Sequence, residues 1–153
     1  MSGALGDRLA LGVVVWHPWV RAPHVVTWSA TLAKYPNLAR EPTWIPPGYH
    51  LVSIQFKKPP PADTVFAFYT KGSTNRSTFE VVEAAKDTAT VVPGLHTIRK
   101  DGMALQVAQW RLPGGNFTDV LVGFDQNGNN YSILAKRIAI GVVERMALSL
   151  TKH

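Results

Sequence analysis

Hydrophobic and polar residues alternate over much of the chain after residue 49, as they do in strands that bury only one face. The alternation is clearest in residues 50–57, and further β-prone segments of similar length follow. In residues 50–57 one predicted face holds Val52, Ile54 and Phe56, and the other holds Leu51, Ser53 and Gln55. The further segments are residues 64–69, 77–83, 96–100, 104–112, 119–124 and 131–134. The pattern predicts an antiparallel sheet of about six or seven strands.

Turn sequences separate these segments. Asp101-Gly102 and Asn127-Gly128 each stand between two β-prone runs, which is a strong signal for a tight hairpin. Residues 71–76 have turn composition, and three consecutive prolines at 59–61 predict a stiff, extended connector after the first strand.

The last part of the chain changes from a period of two to a period close to that of a helix. Apolar residues recur there every four positions, at Ile138, Val142, Met146 and Leu150, with Val143 and Ala147 beside them. This predicts an amphipathic helix that begins near Ala139. The predicted fold class is therefore α+β, with a curved antiparallel sheet and a C-terminal amphipathic helix packed on one face.

Residues 1–41 are predicted to be an N-terminal extension, strand-forming and packed on the sheet or partly mobile, before an α+β domain at 42–153. Their apolar run at 9–20 is shorter than the roughly 20 residues of a membrane-spanning helix and lacks the features of a signal peptide. Valines 13–15 favour a strand, and residues 25–32 predict a second short strand or the start of a helix. An alternative is a membrane anchor in an upstream segment that this sequence does not contain.

The composition, with 46% hydrophobic and 17% charged residues in a chain of 153, is that of a globular domain. The net charge of +6 raises the question of nucleic-acid binding, but the densest basic spots are only pairs, without interleaved aromatic residues. We therefore expect no nucleic-acid partner. The absence of cysteine excludes disulfides, thiolate zinc ligands and thiol nucleophiles.

Residues with catalytic or metal-binding chemistry form no recognisable motif. The five histidines, His17, His24, His50, His96 and His153, show none of the spacings of metal ligands. Residues 125–130 are rich in Asp and Asn, but their glycine is misplaced for a calcium loop, so we interpret them as a hairpin turn. The acidic residues are scattered, and Glu80 and Glu83 are expected on opposite faces of one strand. The sequence thus predicts no catalytic residue, no metal and no cofactor.

Aromatic residues are the remaining indication of a binding site. Five Trp and six Phe are a heavy load for a domain of this size, and a sheet with one helix can leave its other face as an apolar groove. The predicted groove residues are Trp44, Tyr49, Phe66, Phe68 and Trp110. The alternative interpretation is that the N-terminal tryptophans pack on the sheet as ordinary core residues.

A proline-rich stretch leads into the first predicted strand, with Pro42, Ile45, Pro46, Gly48, Tyr49, Leu51, Val52 and Ser53. Together with the Asp101-Gly102 turn, the Asn127-Gly128-x-x-Tyr131 hairpin, and Ala147, Ser149 and Leu150, this stretch resembles a bacterial domain family of unknown function. Domains of that family lie at the extracytoplasmic C-terminus of anti-sigma-factor-like and lipoprotein-carrier-like proteins. The resemblance covers residues 42–151 and implies an extracytoplasmic or membrane-associated location, with no cofactor and no catalytic residues.

These features together predict a non-enzymatic extracytoplasmic sensor or binding domain, with the regulatory, anti-sigma-factor-associated role that the resemblance implies. The expected partner is a protein or a hydrophobic small ligand. Two alternatives stay open: a carrier that holds a hydrophobic ligand such as a lipid between sheet and helix, and a small hydrolase whose site has no recognisable motif.

Overall fold

The structure of the protein, a computed structural model, describes residues 8–9, 27–57, 64–85, 90–91, 94–111 and 118–152. These residues form two helices, α1 (Trp28–Lys34) and α2 (Ile140–Leu148). The strands are β1 (Arg8–Leu9), β2 (Tyr49–Lys57), β3 (Thr64–Lys71), β4 (Thr74–Ala85), β5 (Thr90–Val91), β6 (His96–Lys100), β7 (Met103–Arg111), β8 (Thr118–Gln126) and β9 (Asn129–Lys136).

Seven of the strands form one antiparallel sheet in the order β2-β3-β4-β9-β8-β7-β6. Strands β1 and β5 pair separately as a two-stranded ladder. The large sheet is open, with β2 and β6 at its two edges, and its two halves meet where β4 pairs with β9. The predicted α+β fold, with six or seven antiparallel strands and a C-terminal helix on the sheet, is confirmed.

One face of the sheet, here called the first face, is covered by both helices. Its buried residues are Ile54, Val65, Ala67, Tyr69, Phe79, Val81, Val120, Val122, Phe124, Tyr131 and Ile133. Helix α2 buries Val143, Met146 and Ala147 against them, as the four-residue period predicts. Because these apolar side chains meet only when the helix lies across the sheet, their burial is what holds the helix there.

Strand β2 departs from the predicted alternation at its centre. Its register with β3 shifts between Leu51 and Ser53, which makes Val52 an extra, bulged residue. A bulge reverses the face of every later side chain relative to strict alternation. Tyr49 and Leu51 therefore share the core side with Ile54, and Val52 is 46% exposed. The prediction that Val52 shares a face with Ile54 and Phe56, opposite Leu51, is wrong.

The two predicted tight hairpins are confirmed. Asp101 and Gly102 have φ angles of 52° and 79°, and Asn127 and Gly128 have φ angles of 56° and 78°. Two consecutive central residues with positive φ are the mark of a type I′ turn, whose twist matches that of the strands it joins. These turns link β6 to β7 and β8 to β9. Residues 125–130 are thus part of a hairpin, as their glycine position indicates.

Helix α1 belongs to the segment predicted as an N-terminal extension. The hydroxyl oxygen of Thr27 accepts a hydrogen bond from the backbone N–H of Ala30 and caps the helix. Of the two structures predicted for residues 25–32, a short strand or the start of a helix, the helix is the one present, and it begins at Trp28. The predicted strand at 13–15 and the proline connector at 59–61 lie outside the described residues, and the division at residue 41 stays a prediction. Neither described helix has the length and apolar character that crossing a bilayer requires.

A buried hydrogen bond fastens α1 to the first face. The indole Nε1 of Trp28 donates to the hydroxyl of Tyr69 over 2.7 Å, and both side chains are buried. Tyr69→Phe keeps the ring and leaves the indole N–H unpaired, so we expect the free energy of unfolding to fall by about 1–3 kcal/mol in urea denaturation. The double variant Tyr69→Phe with Trp28→Phe should lose less free energy of unfolding than the two single variants lose together. Strict additivity would mean that the bond contributes nothing.

Candidate functional site

The five predicted groove residues are all half-buried, and they lie on two faces of the sheet. Trp44 and Tyr49 pack against the core of the first face. Phe66, Phe68 and Trp110 belong to the opposite face, here called the second face, where Phe66 and Trp110 each pack in a small cluster with Leu134. The structure thus brings three of the five to one face and does not bring all five together. The groove itself stays a prediction.

Trp44 and Tyr49 have contacts that position the chain before and at the start of β2. The guanidinium of Arg145 lies 3.9 Å from the centroid of the Trp44 ring. The Tyr49 hydroxyl is hydrogen-bonded to the Ser77 hydroxyl on β4, and Gly48 before it has a φ of 89°, which favours glycine. The Pro-x-Gly-Tyr stretch therefore directs the chain into β2 and ties that strand to its neighbours.

The antiparallel register lines up side chains of the second face in rows across the strands. One row consists of Ser53, Phe68, Glu80, Leu134 and Leu121, on β2, β3, β4, β9 and β8. The adjacent row consists of Thr70, Thr78, Lys136, Asp119 and Trp110, on β3, β4, β9, β8 and β7. Each row therefore places a carboxyl group beside an aromatic residue, Glu80 beside Phe68 and Asp119 beside Trp110.

Buried oxygen atoms without a hydrogen-bond partner distinguish these two rows. Within the described part of the chain, Ser53 Oγ, Glu80 Oε2 and Asp119 Oδ1 are buried and unpaired. Burial raises the pKa of Glu80 from its ordinary 4.5 to about 8, although the positive charge of Lys136 opposes the shift. Burial also raises the pKa of Asp119, again opposed by Lys136. Buried oxygens of this kind are unfavourable unless a donor reaches them.

The second buried carboxyl group of β4, that of Glu83, lies on the first face and is satisfied. Both its oxygens accept from the backbone N–H of Arg40, at 3.0 and 3.1 Å. Burial raises the pKa of Glu83 well above its ordinary value. The Arg40 guanidinium lies 4.2 Å from the centroid of the Tyr131 ring and donates to the Leu150 carbonyl over 3.0 Å. This cluster fastens the segment before β2 and the end of α2 to the sheet, so a structural role accounts for it.

A cleft of about 400 Å³ lies beside this cluster, between residues 36–40 and the β8–β9 turn. The Tyr131 hydroxyl at its wall donates to the Leu38 carbonyl over 2.7 Å. Nearby, the side-chain amide of Asn129 donates to the Asn37 carbonyl over 2.8 Å. Because these polar groups already bond main-chain atoms, the second face offers a ligand more unpaired groups than this cleft does.

Strand β2 is the longer of the two sheet edges, with nine residues against five in β6. Its inner side pairs with β3, and none of the strands described pairs with its outer side. The bulged Val52 gives this edge an exposed apolar side chain. Strand β2 carries His50 and Lys57 but no acidic residue, and the Lys34 ammonium lies 5.2 Å from the centroid of the Phe56 ring near its end.

Metal-binding residues do not converge in the part of the chain that the structure describes. No group of three or more His, Asp or Glu side chains there is placed to hold a metal ion. His50 and His96 are exposed and lie on opposite edges of the sheet, and His17, His24 and His153 lie outside the described residues.

Comparisons with known proteins give little similarity. No protein-family model matches the chain, and no curated protein matches it. Among solved structures, the chain resembles one described as the crystal structure of MucB in complex with MucA(peri), with a TM-score of 0.43 and 18% sequence identity, over 71% of this chain and 34% of that chain. This chain thus spans about a third of that protein. A likeness of this strength carries no conclusion about fold or function.

The unpaired carboxyl groups of the second face are not among the residues that the sequence points to as a site. For Glu80 a signal exists, because it is a charged residue inside a run of β-prone residues that includes Phe79 and Val81. For Asp119 the sequence contains no such signal, because the burial of its side chain depends on cross-strand neighbours such as Trp110.

Proposed function

We propose that the chain is a non-enzymatic binding domain that receives an extended segment of a protein partner along the outer side of β2. The observation that carries the proposal is the nine-residue edge of β2, whose outer side pairs with none of the described strands. An edge strand has backbone N–H and C=O groups directed away from the sheet, and an extended peptide satisfies them by adding one more strand.

The amino-acid sequence of β2 favours an acidic partner segment. His50, Lys57 and Lys34 are on or near this strand, and acidic residues are absent from it. Basic residues on an edge also discourage pairing between two copies of the chain, because like charges would be brought together. Val52, 46% exposed at the bulge, supplies an apolar contact. The partner that fits is therefore an extended segment with acidic residues and at least one apolar side chain.

The domain is proposed to be non-enzymatic because its two most buried carboxyl groups are separated by the sheet itself. Glu80 is on the second face and Glu83 on the first, so they cannot act on one bond as an acid–base pair. The resemblance of residues 42–151 to an extracytoplasmic domain family supports a regulatory role, associated with an anti-sigma factor, in which partner binding at β2 changes the state of an attached protein.

The test is a selection from a library of random 12-residue peptides, followed by amide hydrogen exchange on the most enriched one. We expect bound peptides to be rich in acidic and β-branched residues, and to slow exchange at β2 amides while leaving β6 unchanged. Val52→Asp should weaken binding at least tenfold, because it adds a negative charge and removes the apolar contact.

The matched control is Val52→Thr, which keeps the β-branched shape and adds no charge. Its affinity for the selected peptide should stay within threefold of the parent chain. Peptides that protect amides outside β2, or that bind the Val52→Asp variant as well as the parent, would contradict the proposal. So would a library that yields no binder.

A carrier for a hydrophobic ligand is the second candidate. The observation that favours it is that Phe66, Phe68 and Trp110 share the second face with Leu134. Native mass spectrometry of the purified chain, before and after denaturation, separates the candidates. An apolar mass that is lost on denaturation supports the carrier, and a chain without such a mass supports the protein-binding domain.

A further inference from the structure

We propose that the second face of the sheet holds a binding site for an organic cation, an ammonium or guanidinium group, whose acceptors are Glu80 and Asp119. This site is independent of the β2 edge proposed above, because it lies on the central strands β4, β9 and β8.

Adjacent strands bring the two carboxyl groups to opposite sides of β9. Glu80 is directly across from Leu134, and Asp119 is directly across from Lys136, two residues further along β9 on the same face. Since neighbouring strands are about 4.8 Å apart and the two acids are offset by two residues along the strands, or about 7 Å, their Cα atoms are roughly 12 Å apart. A single organic group lying over β9 is thus flanked by both carboxyl groups.

The unpaired atoms beside β9 are two carboxyl oxygens, which accept hydrogen bonds once their groups are ionised. Glu80 is only 4% exposed, and its Oε2 and Asp119 Oδ1 have no partner in the described structure. An ammonium group offers three N–H donors and a guanidinium group five. Charge-assisted bonds from such groups to carboxylates are the strongest hydrogen bonds in proteins. A cation therefore donates hydrogen bonds to the carboxyl oxygens that have no partner in the protein, whereas an anion would be placed beside two acidic groups.

Lys136 does not itself fill this role. Its positive charge acts on both carboxyl groups, but its side chain is exposed and forms an ion pair with neither acid in the described chain. Apart from Lys136, the cross-strand neighbours of the two acids are apolar or aromatic: Phe68 and Leu134 next to Glu80, and Trp110 next to Asp119. Aromatic rings attract cations through their faces. The ligand that fits is a cation joined to an apolar or aromatic group.

The probe for this site is phenethylamine, with 2-phenylethanol as its neutral counterpart. Binding is followed by NMR at the Trp110 indole N–H, which a Trp110→Phe variant identifies. We expect a saturable shift with the amine, none with the alcohol, and binding at least tenfold weaker in Glu80→Gln and Asp119→Asn. Glu83→Gln is the matched control, because Glu83 is an equally buried carboxyl group on the opposite face. It should leave the affinity unchanged.

Proton release gives a second readout. Because burial raises the pKa of Glu80 to about 8, a cation that binds its carboxylate at pH 7 must displace a proton. Among the described residues, the charged groups that face Glu80 are Lys136 from β9 and Asp119 from β8, while β3 presents the uncharged Phe68 and Thr70. Calorimetry of amine binding in buffers of different ionisation enthalpy should therefore show proton release, and Glu80→Gln should abolish it.

The source of the cation is decided by a second titration, with a blocked Phe-Arg dipeptide and its citrulline analogue. Tighter binding of the arginine dipeptide than of the amine assigns the site to a basic side chain of a protein, and the reverse order assigns it to a small amine. Both outcomes support the site. Three results would overturn it: no saturable shift with either cation, equal binding of the alcohol or the citrulline analogue, or equal weakening by Glu83→Gln. None of these depends on whether β2 binds a peptide.

Discussion

Phe79→Ala is expected to lower the free energy of unfolding by about 3–5 kcal/mol. Phe79 is 1% exposed in the middle of the first face. Its ring is stacked on Tyr69 with centroids 4.5 Å apart, and it is tilted against Tyr49 with centroids 5.5 Å apart. Removing it takes away buried apolar area, leaves a cavity between two rings and ends both aromatic contacts. Urea denaturation followed by tryptophan fluorescence measures the loss.

Two further variants make this prediction decisive. Phe79→Leu keeps most of the volume, and we expect it to lose clearly less stability than Phe79→Ala. Val52→Ala removes an apolar side chain that is 46% exposed, and surface changes of this kind usually stay within about 0.5 kcal/mol. If Phe79→Ala were as mild as Val52→Ala, the first face would not be the packed core of the domain.

Glu80→Gln is expected to raise the free energy of unfolding at pH 8 above that of the parent chain. The gain is measured relative to the difference between the two chains at pH 4. The pKa of Glu80 is raised by burial from its ordinary 4.5 to about 8. Between these two values the unfolded chain has lost the proton of Glu80 and the folded chain still holds it. The folded state thus binds more protons, and the free energy of unfolding falls as the pH rises through this range.

The size of this effect follows from the shift. Each unit of pKa corresponds to about 1.4 kcal/mol, so the shift of Glu80 costs the folded state about 3–5 kcal/mol at pH 8. Gln has the same shape and does not ionise, so the variant escapes this cost. The measurement is urea denaturation of both chains at pH 4 and pH 8, without added cation.

Glu41→Gln is the control for this experiment, because Glu41 is an exposed glutamate. As a surface substitution, it should change the free energy of unfolding by no more than about 0.5 kcal/mol. Burial also raises the pKa of Glu83, so the Glu80→Gln variant keeps the part of the pH dependence that Glu83 causes. A Glu80→Gln variant that loses stability at pH 8 would mean that Glu80 is ionised and satisfied in the folded protein, and would remove the basis of the cation site.

Much of the fold follows from local patterns. The Asp101-Gly102 and Asn127-Gly128 pairs specify their hairpins because few residues tolerate two positive φ angles in succession. The stripe that includes Val143, Met146 and Ala147 specifies a helix, because only a helical period brings these residues to one side. Both signals act over a few residues, and both are therefore legible in the sequence.

The bulge in β2 and the grouping of the aromatic residues do not follow from such local patterns. Strict alternation puts Val52 with Ile54, but pairing with β3 inserts an extra residue and turns Val52 outward. The five predicted groove residues look equivalent in the sequence, yet the register sends Phe66, Phe68 and Trp110 to one face and Trp44 and Tyr49 to the other. Register is decided between strands, so it is not contained in either strand alone.

By itself, the sequence determined the seven strands of the large sheet, the tight turns, the C-terminal helix and the opposite orientations of Glu80 and Glu83, because each depends on a period or on the φ preferences of neighbouring residues. Only the tertiary structure decided the order of the strands, the free edge at β2 and the unpaired state of Glu80 and Asp119. The unpaired state of the two acids arises when β4 pairs with the hairpin of β8 and β9, which is distant from it in sequence, and water is removed from their polar side chains.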